Sequence, residues 1–161
     1  MTFDDAFTAL IGNEGGYSND PNDPGAETMW GVSAAVARAN GYAGAMRDLP
    51  LGTAKAIART QYWNPAHCDD CPDGIRFDML DMAYNSGAFK AVELLQRALG
   101  FSLTQTDGLW GMETHAAVVV ADAGTLRLRL NAERLDFFAG LPTWADFGKG
   151  WARRIAANLR R

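Results

Sequence analysis

The residues Asn13 to Gly31 interrupt a chain that otherwise reads as helix nearly throughout. Before them, Phe3, Ala6, Phe7, Leu10 and Ile11 recur at i, i+3, i+4, i+7 and i+8, the spacing of one helix face. Within them, Asp20-Pro21-Asn22-Asp23-Pro24-Gly25 is built from turn-forming residues that neither extend a helix nor pair in the interior of a sheet. Gly15 and Gly16 are expected to stop the first helix, because glycine enters left-handed backbone at low cost. Glu14 therefore stands at a junction between helix and loop. A carboxyl half-buried at such a junction, with its oxygens facing a cleft, has a raised pKa and can act as a general acid near neutral pH. The plainer alternative is a solvated glutamate at a helix end.

Beyond Gly31 the apolar pattern returns at helical spacing and is punctuated by recognisable stops. Ser33 is placed to cap a helix over 34–39 that ends at Asn40-Gly41. Thr53 is placed to cap a second over 54–62, broken at Trp63-Asn64-Pro65. Residues 64–74 read as irregular loop. Ile75, Met79, Met82 and Ala83 mark a helix to Asn85, and Ser86-Gly87 separates it from another over 88–99. A turn cluster over 104–111 precedes helices at 112–121, 125–139 and 146–159. β-branched alternation is confined to Val118-Val119-Val120, so the fold class is mainly all-α.

Length and composition narrow the function. A chain of 161 residues can bury one core, or two small lobes that share one. The longest aliphatic run, Ala116 to Ala121, is far short of the ~18 apolar residues of a membrane span. Asp4 and Asp5 stand where a signal peptide carries Lys or Arg, and no apolar stretch follows them, so export by a leader is not expected. Residues 1–126 hold 7 Lys and Arg against 16 Asp and Glu, whereas residues 127–161 hold 8 against 3. That basic end either meets an anionic envelope surface or forms the solvated face of terminal helices, and no nucleic-acid partner is inferred from it. Cys68 and Cys71, with His67 beside them, form a C-x-x-C without the flanking strand and helix of a redox motif or the second ligand pair of a zinc site. They are read as free thiols or one local disulfide.

Three blocks carry a family resemblance. Glu14-Gly15-Gly16-Tyr17, then Asp20-Pro21-Asn22-Asp23-Pro24-Gly25, Thr28 and Gly31-Val32-Ser33 resemble the signature of glycoside hydrolase family 108. Tyr84-Asn85-Ser86-Gly87 resembles the Asn-x-Gly helix end of the same family. Leu95-Gln96-Arg97-Ala98-Leu99 with Asp107-Gly108-Leu109-Trp110-Gly111-Met112-Glu113-Thr114 resembles the peptidoglycan-binding segment that accompanies it, and Phe147, Gly148, Trp151 and Arg154 continue the likeness. One departure is Ala26, where relatives usually carry glycine.

The resemblance implies an N-acetylmuramidase of phage endolysin type, with a lysozyme-like, two-lobed helical fold and a short β-hairpin near residues 17–32. Residues 1–90 would be the catalytic lobe and 91–161 the peptidoglycan-binding lobe, packed as one unit. Glu14 is the implied general acid. Asp23 follows it by the eight intervening residues of many phage lysozymes, but Thr28 follows Asp23 after four rather than five. Asp23 and Thr28 together would direct water to the sugar face opposite Glu14. Asp23 equally reads as a residue capping its own turn, and Glu27 is a lesser candidate. Tyr17, Trp30, Tyr84, Asn85, Gly87, Asp107 and Gly108 are the expected substrate-binding residues, with Tyr62 and Trp63 as further stacking candidates. The implied partner is the peptidoglycan glycan strand, the protein is expected to act as a monomer, and no metal or organic cofactor is implied. It would accumulate in the host cytoplasm until released to the periplasm or wall. The competing readings are a lytic transglycosylase, a non-catalytic wall-binding protein, and a zinc hydrolase using His67, Cys68, Cys71 and His115.

Overall fold

The computed structural model describes residues 1–12, 16–19 and 27–161, so Glu14 and Asp23 lie outside the described residues. Helix α1 (Phe3–Ile11) buries Phe3, Ala6 and Phe7. Its start is set by a capping box: the Thr2 hydroxyl accepts from Asp5 N–H, and the Asp5 carboxylate accepts from Thr2 N–H at 3.1 Å. The helix ends at Ile11 with Gly12 as C-cap in right-handed backbone, before the Gly15-Gly16 pair expected to stop it.

Three short strands follow. β1 (Ser18–Asn19), β2 (Glu27–Met29) and β3 (Val32–Ser33) form an antiparallel sheet in sequence order. Ser18 pairs with Thr28, Thr28 with Ser33, and Met29 with Val32. The expected hairpin is thus present and extended by a third strand. Ser33 ends the sheet and caps α2 (Ala34–Ala39) through a bond from Val36 N–H. A single 3₁₀ turn, Met46–Asp48, leads to α3 (Leu51–Ala58). Here the expected start at Thr53 is corrected. Pro50, in extended backbone, is the N-cap, and its carbonyl accepts from Ala54 N–H at 3.0 Å. Proline is tolerated there because the N–H it lacks would have had no partner within the helix.

α3 runs on into a π-helical turn, Arg59–Trp63, closed by Asn64 N–H on the Arg59 carbonyl at 2.9 Å. The wider turn seats Trp63 fully inside the core and leaves Tyr62 half-buried beside Tyr84. The segment expected to be loop holds a 3₁₀ turn, Cys68–Asp70, with both cysteines buried and free. Burial pushes the Cys71 thiol up to about 12 and raises Cys68 as well. His67, in left-handed backbone, bonds Asp70 at 2.8 Å and stacks on Trp110.

The central element is α4 (Asp73–Ser86), which is buried on nearly every side and packs against α1, α5 (Ala88–Ala98) and α7 (Ala123–Ala139). α6 (Met112–Val120) sends Val118 inward and leaves Val119 and Val120 exposed, so the one β-branched run is helical. α7 begins where the Asp122 carboxylate accepts from Thr125 N–H at 2.8 Å, and α8 (Trp144–Leu159) packs along it. One continuous core runs from Phe3 to Ile155.

α4 carries two aspartates into that core, and α7 and α8 answer them. Asp78 accepts from Arg127 at 2.9 Å and from Arg134; Asp81 accepts from Arg134, from Arg154 at 2.7 Å and from Asn158 at 2.7 Å. Burial alone would raise the Asp81 carboxyl, but the Arg154 and Arg134 guanidinium groups outweigh it and hold the carboxyl below its usual range. Three of the eight basic residues in the C-terminal stretch therefore pair with buried aspartates.

Candidate active site

The sheet and the end of α4 meet at the Trp30-Gly31 turn. This two-residue link between β2 and β3 has positive φ at both positions, 56° and 74°, as the tight type I′ hairpin turn needs. Left-handed backbone costs roughly 1–2 kcal/mol at a residue with a side chain, so Trp30 must be held there. Its indole N–H donates to the Leu49 carbonyl at 2.9 Å, and its own carbonyl accepts from the Tyr84 hydroxyl at 2.8 Å. The Tyr84 ring lies so close over Gly31 that a Cβ would come within 2.6 Å of it. Tyr84 is in turn packed against Tyr62, with ring centroids 4.7 Å apart. Burial raises both phenols above their usual pKa, so both stay neutral hydrogen-bond donors.

Tyr17 precedes the first strand. Its hydroxyl donates to Glu27 at 2.9 Å and Arg47 stacks over its ring at 4.9 Å. Thr28, at the centre of β2, is half-buried and pairs on both sides within the sheet. Tyr17, Thr28, Trp30 and Tyr84 are thus brought together around one small sheet. Of these, Trp30 and Tyr84 have their polar atoms occupied by the turn that they build.

Asn85, one residue beyond Tyr84, is exposed. It lines a cleft of about 540 Å³ between the last turn of α1, the α4 face of Phe77, Asp81 and Asn85, and α8. Ala9 and Leu10 form one wall, just upstream in sequence of Glu14. Phe77, Phe147 and Trp151 supply aromatic surface, and Arg153, Arg154 and Arg161 supply charge. Asp81 also reaches this cleft, but its two arginine partners keep it ionised, so it cannot donate a proton. Gly87 sits behind Asn85 with φ 89° and ψ 152°, a backbone only glycine adopts freely. It ends α4 by donating to the Ala83 carbonyl at 2.8 Å and begins α5 by accepting from Ala91 N–H at 3.1 Å.

Asp107 and Gly108 are set apart from that cleft, in the loop before α6, and the structure shows what anchors them. Gln96 on α5 is 1% exposed, and its carbonyl oxygen accepts from the Asp107 and Gly108 N–H groups at 3.0 and 2.8 Å. Its amide donates to Asp107 Oδ1 at 2.8 Å, to the Leu109 carbonyl at 3.0 Å and to Thr114 Oγ1 at 3.2 Å. Those bonds, with the Leu109 N–H, hold the Asp107 carboxyl below its usual pKa. Gly108, with φ 69°, lies under the Phe89 ring, where a Cβ would meet the ring at 2.6 Å. The Leu-Gln-x-Ala-Leu and Asp-Gly segments are therefore two halves of one hydrogen-bonded unit. Sequence reasoning missed Gln96 as its centre, although the fixed pairing of the two motifs was the available signal. It also missed Phe77, Phe147, Trp151, Arg153 and Arg154 as residues that share a cleft with Asn85.

Comparison with known proteins bears on the family and the fold. Residues 7–87 match the family described as glycosyl hydrolase 108. The solved structure of Brucella abortus SagA is similar over 99% of this chain and 92% of its own, at 34% identity and a TM-score of 0.89. No curated protein sequence matches. A family match over half of the chain, joined to a likeness that spans nearly all of it, means that this protein belongs to glycosyl hydrolase family 108 and is a glycoside hydrolase.

Proposed function

We propose that the protein is an N-acetylmuramidase that hydrolyses the β-1,4 bond between N-acetylmuramic acid and N-acetylglucosamine in peptidoglycan. The observation that carries this reading is the cleft at the end of α1, which combines Asn85, aromatic rings and arginines with a wall, Ala9 and Leu10, just upstream in sequence of Glu14. Family membership supplies the reaction class. Glu14 protonates the glycosidic oxygen as the bond to the anomeric carbon breaks, and water, directed by Asp23 and Thr28, adds to that carbon and gives its proton to the Asp23 carboxylate. The Asn85 amide has both a donor and an acceptor for an N-acetyl group. Residues 1–90 serve as the catalytic lobe and 91–161 as the wall-binding lobe. The biological role is that of a phage or prophage endolysin, a monomer kept in the host cytoplasm until lysis releases it to the wall.

The test is loss of turbidity of purified peptidoglycan with the wild type and with Glu14→Gln, each checked for folding. Clearing by the wild type alone upholds Glu14 as the acid. Equal clearing by both removes it, and binding without clearing by either makes this a wall-binding protein. Mass spectrometry of the digest gives a reducing N-acetylmuramic acid end for hydrolysis; a 1,6-anhydro end would identify a lytic transglycosylase.

A further inference from the structure

The Asn85 cleft carries more positive charge than a neutral sugar needs. Its charged lining residues among those described are Asp81, Arg153, Arg154 and Arg161. Asp81 is not available to a ligand: Oδ1 accepts from Arg154, and Oδ2 accepts from Arg134 and Asn158. Arg154 is correspondingly fixed, with about a third of its side chain still facing solvent. Arg161 is stacked over the Phe77 ring at 4.5 Å. Arg153 is exposed and makes no ion pair among the described residues. Beside these cations, Trp151 is stacked on Phe138 at 4.9 Å and is tilted against Phe147 at 5.8 Å, which makes a rigid apolar floor. A guanidinium held in place on Asp81, an exposed second one at the next residue and an aromatic platform in the same cleft suit a ligand with one sugar face and one carboxylate.

We propose that Arg153, with its sequence neighbour Arg154 in the same cleft, binds the carboxylate carried by the muramyl residue and so makes this cleft selective for acidic over neutral amino-sugar strands. This deepens the muramidase reading and rests on it. The carboxylate has two sources: the lactyl group of an unsubstituted muramyl residue, or the glutamate of the stem peptide once the lactyl group is amidated.

The experiment is calorimetric titration of the full-length protein and of Arg153→Gln with three probes. These are the disaccharide N-acetylglucosaminyl-N-acetylmuramic acid, the same disaccharide extended by L-alanyl-D-glutamate, and neutral chitobiose. The wild type is expected to bind at least one acidic probe about ten-fold more tightly than chitobiose, as a charge-assisted hydrogen bond allows. Arg153→Gln is expected to remove that preference by weakening the acidic probes more than chitobiose; Arg153→Lys restores part of it. Whichever acidic probe shows the larger loss identifies the source of the carboxylate. No preference in the wild type, no change in Arg153→Gln, or an equal loss for all three probes overturns the proposal. Clearing of peptidoglycan is scored separately on the same wild-type sample. Its absence would sink the muramidase reading, while the ratio of acidic to neutral binding still decides the role of Arg153.

Discussion

The Tyr84 hydroxyl donates to the Trp30 carbonyl at 2.8 Å, across 54 residues of chain, while its ring covers Gly31. The central helix thereby holds a hairpin turn whose first residue is in left-handed backbone. Strain of this kind persists only where the surroundings enforce it.

Removing the hydroxyl with Tyr84→Phe is expected to cost about 1 kcal/mol, the net worth of one hydrogen bond. Gly31→Ala is expected to cost more, on the order of 2–4 kcal/mol, because it adds a left-handed penalty to a clash with the ring. Urea denaturation of the two variants checks the ranking. A Gly31→Ala protein as stable as the wild type would mean that Tyr84 does not constrain the turn.

Asp81 makes stability depend on acid. Its folded pKa lies below the ordinary 3.8 because Arg154 and Arg134 outweigh its burial. The stabilisation is therefore complete above the unfolded pKa and is lost as pH falls from about 4 through the folded value. Asp81→Asn is expected to lower stability at pH 7 by roughly 3–5 kcal/mol, since it leaves buried Arg134 short of a counter-charge. It should also flatten the fall in stability between pH 5 and pH 2, to the extent that Asp81 is responsible for it, while the other carboxylates keep their own dependence. Denaturation curves across that range test both statements; an unchanged acid slope would remove Asp81 from the account.

Gln96 is expected to behave as a core residue despite its polarity. Gln96→Ala strands the Asp107 and Gly108 N–H groups and should cost about 2–4 kcal/mol, with faster hydrogen exchange in the loop before α6. Asp107→Asn keeps an acceptor oxygen for the Gln96 amide and should cost less. If Gln96→Ala left stability intact but abolished binding to peptidoglycan, the pair would be a ligand site rather than a structural unit.

Helix boundaries and caps were legible in the chain itself where the signal was local. The α1 face, Ser33 before α2, Ser86-Gly87 between α4 and α5, and the end of the helix expected over 125–139 depend on neighbours within a few residues. The start of α3 was misread because Thr53 is a good cap by type, whereas the chain had already turned helical after Pro50. Motif likeness to the family pointed to the glycosidase class and singled out Tyr84, Asn85, Asp107 and Gly108 as candidate binding residues.

What those residues do was decided by contacts far apart in sequence. Tyr84 reaches Trp30, Gln96 gathers Asp107, Gly108 and Thr114, and Arg127, Arg134 and Arg154 turn inward to Asp78 and Asp81. A basic C-terminal stretch reads the same whether its arginines are solvated or buried in ion pairs. Periodicity reports which face of a helix is apolar, but a buried charge is defined only by the partner that another helix brings to it. The cleft that sets Asn85 beside Arg153 and Trp151 likewise exists only once α8 has packed beside α1 and α4.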